Sequence, residues 1–246
     1  MPTLLLYKDI KALNRDEHKG LKLKSSGDCA FAADTHLVPL AGLEFFQAAR
    51  SYPIVFIGEG ESISPIALLG LQEGQNSYLQ DDMQWRANTY VPAFIRRYPF
   101  VLAQGDNDSF TVCLDEAYAG WNQEEGRELF NAEGENSEYL NEMIQFMQNF
   151  TVEMQRTKAF VARLKELELL VPRTLKLTHN SGENFVLRDF MAVDEDKFLK
   201  LDDEQVLSLN KDGFLGWVYA HLMSLGNANA LFEHYLSQRN VSGTTH

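Results

Sequence analysis

From Ser137 to Leu170 the chain reads SEYLNEMIQFMQNFTVEMQRTKAFVARLKELELL, with Leu140, Met143, Met147, Phe150, Met154, Thr157, Val161 and Leu164 at alternating spacings of three and four. Only an α-helix gathers that spacing onto one side, so the run predicts a long amphipathic helix, ended by the Val171–Pro172 pair. A helix of about 30 residues is about 45 Å long, more than one layer of a chain of 246 residues needs. A kink near Phe150–Thr151 and an antiparallel helical partner both accommodate it. The apolar face suits a homodimer through the 137–170 helix as a coiled coil, or packing on a sheet or helix of the same chain.

Ahead of this helix the pattern is that of strands. The apolar runs Ile54–Ile57 and Ile66–Leu71 flank a Gly/Glu/Ser/Pro segment, and Pro99–Ala103 is followed by QGDNDS and the alternating FTVCLDE. Both arrangements predict antiparallel pairs. His36–Leu40 reads as a short extended piece, and AGLEFFQAAR from Ala41 has helix-forming composition, with Leu43, Phe46 and Ala49 three apart. Beyond the long helix, Leu175–Leu177 and Phe185–Val193 read as strands. Asp202 with Gln205 forms a capping-box pattern, Gly213 a stop, and two further helices follow with Gly226–Asn227 between them. The expected fold class is α+β, with mostly antiparallel strands in the first half, the long helix, and a helical C-terminal part. The expected organisation is an irregular N-terminal segment at 1–30, a single domain at 31–240 and a loose tail at 241–246.

With 45% hydrophobic residues the chain can bury a sizeable core. Its 22 basic residues against 35 acidic ones, a formal net charge of −13, oppose general binding to nucleic acid, which needs a basic surface. Near the start only Leu4–Leu6 is apolar before Lys8 and Asp9, too short for the core of an export signal, and no run of roughly 18 apolar residues exists to span a membrane. A soluble, cytoplasmic protein is therefore expected. Two distant cysteines, Cys29 and Cys113, build neither a zinc knuckle nor a redox CxxC pair. They read as free thiols, with a nucleophile or a disulfide as the alternatives.

GEGESI follows a strand, but Ile63 stands where a dinucleotide fingerprint has its third glycine, and no helix follows. No P-loop and no Gly-x-Ser-x-Gly elbow is present. The histidines His18, His36, His179, His221, His234 and His246 are scattered without ligand spacing, and NKDG lacks the calcium-loop glutamate. No cofactor and no metal are expected.

The stretch WRANTYVPAFIRRYPF, Trp85–Phe100, sets two adjacent arginines between two prolines. Pro92 suits the start of a helical turn and Pro99 forces Tyr98 back to an extended conformation, leaving a single turn with Arg96 and Arg97 aimed about 100° apart. Such arginines either pair with acids of the chain or recognise an anionic group on a small molecule or partner protein, with Trp85, Tyr90 and Tyr98 as an aromatic wall. A remote alternative is nucleic acid. No catalytic residue is assigned. An enzyme of unknown reaction, assembled from distant residues around Arg96 and Arg97, has Cys113 or His221 as nucleophile or base.

Four stretches, HLVPLAGLEFFQAARSYPIVF, PIALLGLQEGQN, YVPAFIRRYPF and DFMAVDEDKFLKLDDEQVLSLNKDGFLGWVYAHLMSLGN, together resemble the SapC family of bacterial proteins, in order from about Phe31 to about Phe232. The arginine motif is the most distinctive of them. The resemblance is to soluble proteins named from a surface-layer association, distinct from the membrane permeases that share the label. It implies an accessory role serving a bacterial surface-layer or uptake system, and it carries no catalytic or ligand residues with it.

Overall fold

Pairing begins earlier than residue 30. In the computed structural model, which describes residues 5–24, 27–105 and 109–242, Ile10–Ala12 forms β1, Arg15–His18 the one-turn helix α1, and Lys22–Leu23 β2. The segment expected to be irregular is thus partly built into sheets: Ile10 faces Asp115, and Leu23 faces both Trp121 and Arg127. Two or three residues carry no readable period, and their partners are remote in sequence. Of the loose tail expected at 241–246, Val241 and Ser242 instead continue the last helix, while residues 243–246, and Ser25, Ser26 and residues 106–108, where the sequence predicts turns, lie outside the described residues.

Next come β3 (Leu37–Pro39), a 3-10 turn at Gly42–Glu44 running into α2 (Phe45–Ala48), and the strands β4 (Ile54–Ile57) and β5 (Ser64–Leu68). The arginine turn is α3 (Ala93–Arg96), followed by β6 (Phe100–Gln104), β7 (Phe110–Asp115), β8 (Trp121–Asn122) and β9 (Arg127–Glu128). The long helix is α4 (Glu138–Glu166), then β10 (Leu170–Thr178) and β11 (Asn184–Val193). The C-terminal part holds α5 (Glu195–Phe198), α6 (Asp203–Lys211), α7 (Leu215–Ser224) and α8 (Ala228–Ser242). A five-stranded sheet has the order β10-β11-β4-β5-β3, and two three-stranded sheets have the orders β1-β7-β6 and β8-β2-β9. The predicted pairs β4–β5 and β6–β7 are both antiparallel, and the fold is α+β. The capping box at Asp202 and Gln205 is formed.

Ser137 caps α4, its hydroxyl accepting from the Leu140 N–H at 3.1 Å. The helix stops at Glu166 rather than at Val171–Pro172: Glu168 adopts a positive φ of 51°, and the Leu169 N–H closes onto the Leu164 carbonyl at 2.9 Å. Pro172 instead lies in β10, the edge strand, where a missing N–H is tolerated. The helix serves two cores. Leu140 and Met147 pack with Phe100, Leu114 and Phe130 in a small cluster, while Phe150, Phe160, Val161 and Leu164 join the main core on the five-stranded sheet. Its length is taken up by this division, and its apolar face is buried within the chain.

Around α2 the buried face is the one the three-residue spacing did not mark. Phe45 and Ala48 are inside, whereas Leu43 and Phe46 are 61% and 56% exposed. The rotation is set at Gly42, whose N–H donates to Thr157 Oγ1 of α4 at 2.7 Å. A Cβ on Gly42 would lie 2.1 Å from the nearest ring carbon of Trp217. That ring is held by Phe45, Phe160 and Phe214, with the Arg156 guanidinium 4.6 Å from its centroid. Gly42→Ala is expected to lose about 3 kcal/mol in urea unfolding, the overpacking of a site that cannot give way.

Candidate functional site

Pro92 occupies the cap of α3, its carbonyl accepting from the N–H groups of Ile95 and Arg96 at 2.9 and 3.0 Å, and the Tyr98–Pro99 peptide is cis. Phe94 and Ile95 enter the main core and Phe100 the small one, so this turn stitches the two together. Neighbouring positions on a helical turn point about 100° apart. Arg97 is accordingly buried, 8% exposed, and Arg96 is at the surface.

The Arg97 guanidinium lies 4.2 Å from the Phe94 ring centroid and 5.4 Å from that of Phe150. It shares a hydrogen bond with the Tyr7 hydroxyl, which donates to the Phe100 carbonyl at 2.7 Å. Burial lowers the Arg97 pKa against the raising effect of Tyr7, and burial pushes Tyr7 up to about 12. A guanidinium starts so high that it stays charged. Beside it opens a cavity of about 400 Å³, with Phe94, Phe150, Met154 and Val161 as apolar wall and Lys158 as a second cation.

Arg96 is held by two bonds of 3.0 Å, from Nε to the Val91 carbonyl and from Nη2 to the Tyr90 hydroxyl. Tyr90 in turn donates to Glu44 Oε1 at 3.0 Å. Glu44, 7% exposed, also accepts from the N–H groups of Ala93 at 2.7 Å and Ala41 at 3.0 Å. Burial raises its pKa, opposed by those two N–H groups, by Tyr90 and by the Arg96 charge. Among the described residues Arg96 therefore meets an acid through the Tyr90 hydroxyl, an indirect form of the expected pairing. Glu44 supports the whole turn, and composition gave no sign of it, since one glutamate among 35 acidic residues is unmarked.

The five sequence-selected residues do not share one cavity. Tyr98 and Arg96 line a second cavity of about 250 Å³, and Arg97 lines the first. Trp85 and Tyr90 line neither of these two. The Trp85 indole N–H donates to the Tyr52 hydroxyl at 2.9 Å, and the Tyr52 hydroxyl donates to the Tyr90 carbonyl. Their polar groups serve buried neighbours, because a buried hydroxyl or carboxylate without partners costs about 1–3 kcal/mol.

Cys113 and His221 also line neither arginine cavity. Cys113 sits on β7 opposite Val101, its thiol pushed up by burial. His221 is fully buried, its Nε2 accepting from the Val193 N–H at 3.0 Å and its Nδ1 donating to the Ile54 carbonyl at 2.9 Å. It thereby bridges β11 and β4. Neither of the two arginine cavities therefore brings these side chains to Arg96 or Arg97. Among the described residues no group of His, Cys, Asp and Glu is placed to hold a metal ion, and no helix is long and apolar enough to cross a membrane.

Fold and site together define an α+β protein in which one short turn joins two cores and gives one guanidinium to each of two cavities. The chain belongs to the SapC family, whose family model matches residues 13–231, nearly its whole length. The match opens before Phe31 and so takes in β2. No curated protein and no solved structure matches the chain.

Proposed function

We propose that the chain is an accessory protein that binds an anionic ligand with an apolar body, anchored by Arg97 in the cavity against α4. The supporting observation is a buried guanidinium lining an apolar-walled cavity of about 400 Å³, in a chain whose net charge is −13. That volume lies in the range of small-molecule sites, about 300–1,000 Å³. Desolvation strengthens the attraction between a buried cation and an incoming anion, and the guanidinium fork matches a carboxylate or phosphate. Lys158 adds a second positive charge, while Glu61, the carboxylate at this cavity, is held by Lys165 at 2.6 Å. Met154 and Val161 supply the surface for the apolar part. SapC membership adds the expectation of service to a bacterial surface-layer or uptake system, from the cytoplasm.

Isothermal titration with decanoate tests it, with decanol as the uncharged control. The wild type is expected to bind decanoate and not decanol, Lys158→Glu to weaken binding at least tenfold, and Met154→Trp to abolish it by filling the cavity. Unfolding midpoints near wild type show that both variants remain folded. Equal affinity in all three proteins would remove the cavity as the site.

A further inference from the structure

Arg127, on the short strand β9, was not marked by the sequence, yet it lines the same 250 Å³ cavity as Arg96 and Tyr98. Four aromatic residues, Phe31, Tyr98, Tyr118 and Tyr139, share the lining with aliphatic ones such as Leu23 and Val91: Phe31 stacks on Tyr98 at 4.1 Å, Tyr118 meets Tyr98 edge-on at 5.4 Å, and the Arg127 guanidinium stands 5.0 Å from the centroid of Tyr139. Asp28 is the one carboxylate among the described lining residues, and its Oδ1 accepts from the Ala30 N–H at 3.2 Å. Two guanidinium groups thus stand against one carboxylate in the described lining of a strongly acidic chain.

The Arg96 fork is also preorganised. A guanidinium has five N–H donors; two of Arg96's, one on Nε and one on Nη2, are engaged by Val91 and Tyr90. The other three have no hydrogen-bond partner among the described residues; the group also stands 5.6 Å from the Tyr90 ring centroid and 5.0 Å from that of Phe146, and a donor already held in place loses little entropy on binding. The Cys29 thiol in the wall is pushed up to about 11 by burial and by Asp28, so it remains a neutral apolar surface rather than a nucleophile.

From this arrangement we infer a second ligand site, selective for a compact aromatic anion, an aromatic ring bearing a carboxylate or phosphate. The ring lies among Phe31, Tyr98, Tyr118 and Tyr139, where offset and edge-on contacts favour a planar aromatic over an aliphatic body. The oxyanion sits between Arg96 and Arg127. The volume admits a single ring with its substituent and is smaller than that of the Arg97 cavity, so the two sites take different ligands. This inference stands independently of the Arg97 proposal.

Isothermal titration at constant ionic strength is the test, with phenyl phosphate, benzoate, cyclohexanecarboxylate and inorganic phosphate as probes. The proteins are wild type, Arg96→Ala, Arg127→Ala, the double variant, and Met154→Trp. Wild type is expected to bind phenyl phosphate or benzoate, the tighter of the two identifying the oxyanion, with cyclohexanecarboxylate and inorganic phosphate at least tenfold weaker. Each arginine variant should weaken the aryl anion at least tenfold and the double variant should not bind it, whereas Met154→Trp should bind as wild type does. Arg127 is exposed, so Arg127→Ala carries the test should Arg96→Ala fail to fold by circular dichroism. The inference is overturned by unchanged affinity in Arg127→Ala, by inorganic phosphate binding as tightly as the aryl anions, by loss of binding in Met154→Trp, or by no binding of any probe to wild type.

Discussion

Asp115→Ala is expected to lose about 4 kcal/mol of unfolding free energy in urea titration, the scale for stripping a buried, fully bonded charge from its donors. Asp115 has no exposed surface. Its Oδ1 accepts from the N–H groups of Asp9 at 2.9 Å and Ala117 at 3.1 Å; its Oδ2 accepts from the Lys8 N–H at 2.9 Å and the Tyr98 hydroxyl at 3.0 Å. One carboxylate thus ties together the approach to β1, the turn after β7 and the end of the arginine turn. Alanine leaves four donors without this acceptor. Tyr98→Phe removes only one of those bonds and should lose about 1 kcal/mol, which separates the network from its single member. A loss below about 1 kcal/mol for Asp115→Ala would show that water satisfies the donors and that the carboxylate is dispensable.

The second large effect is on pH. Burial lowers His221 from its ordinary 6.5 to about 4, its backbone partner Ile54 opposing the shift. The unfolded chain takes up a proton on this imidazole below about 6.5 while the folded chain does not until about 4. Stability from this group is therefore complete above the unfolded value and falls with falling pH, by about 1.4 kcal/mol per pH unit, levelling below about pH 4. Between pH 7 and pH 5 the expected loss is about 2 kcal/mol. Glu44 contributes with the opposite sign: its raised pKa means that stability falls as pH rises through the carboxyl window. Subtracting the profile of His221→Gln from that of wild type isolates the histidine. The variant should lose about 2–4 kcal/mol at pH 7, with both strand contacts disturbed, and should be flatter between pH 7 and pH 5 by about 2 kcal/mol. Parallel profiles would mean that His221 titrates normally.

These two residues illustrate where local reasoning stops. His221 sits in GWVYAHLMSL, and the apolar surroundings mark it as an interior histidine without showing which backbone groups it joins. Val193 and Ile54, its partners, lie on strands from opposite halves of the chain. Asp115 is the last residue of β7, within the alternating FTVCLDE whose period marks a strand, yet nothing there indicates that its carboxylate collects donors from residues 8 and 9. Arg96 and Arg97 stand out because two prolines bracket them. Arg127 is a single cation in a polar stretch and Lys158 one of several cations along the amphipathic helix, both legible as site residues only once β9 and α4 are placed.

The sequence by itself determined the α+β order, the β4–β5 and β6–β7 pairs, the long helix, the single turn at Arg96–Arg97 and membership of the SapC family. Each is written in spacings of two to four residues or in a contiguous motif, where backbone geometry acts directly on neighbours. Tertiary structure alone decided that α4 serves two cores, that α2 buries Phe45 instead of Phe46, and that Arg96 and Arg97 face different cavities with Trp85 and Tyr90 outside both. Those outcomes depend on close packing and hydrogen bonding between segments far apart in the chain, such as Gly42 against Trp217 and Tyr98 against Asp115, and no local period encodes them.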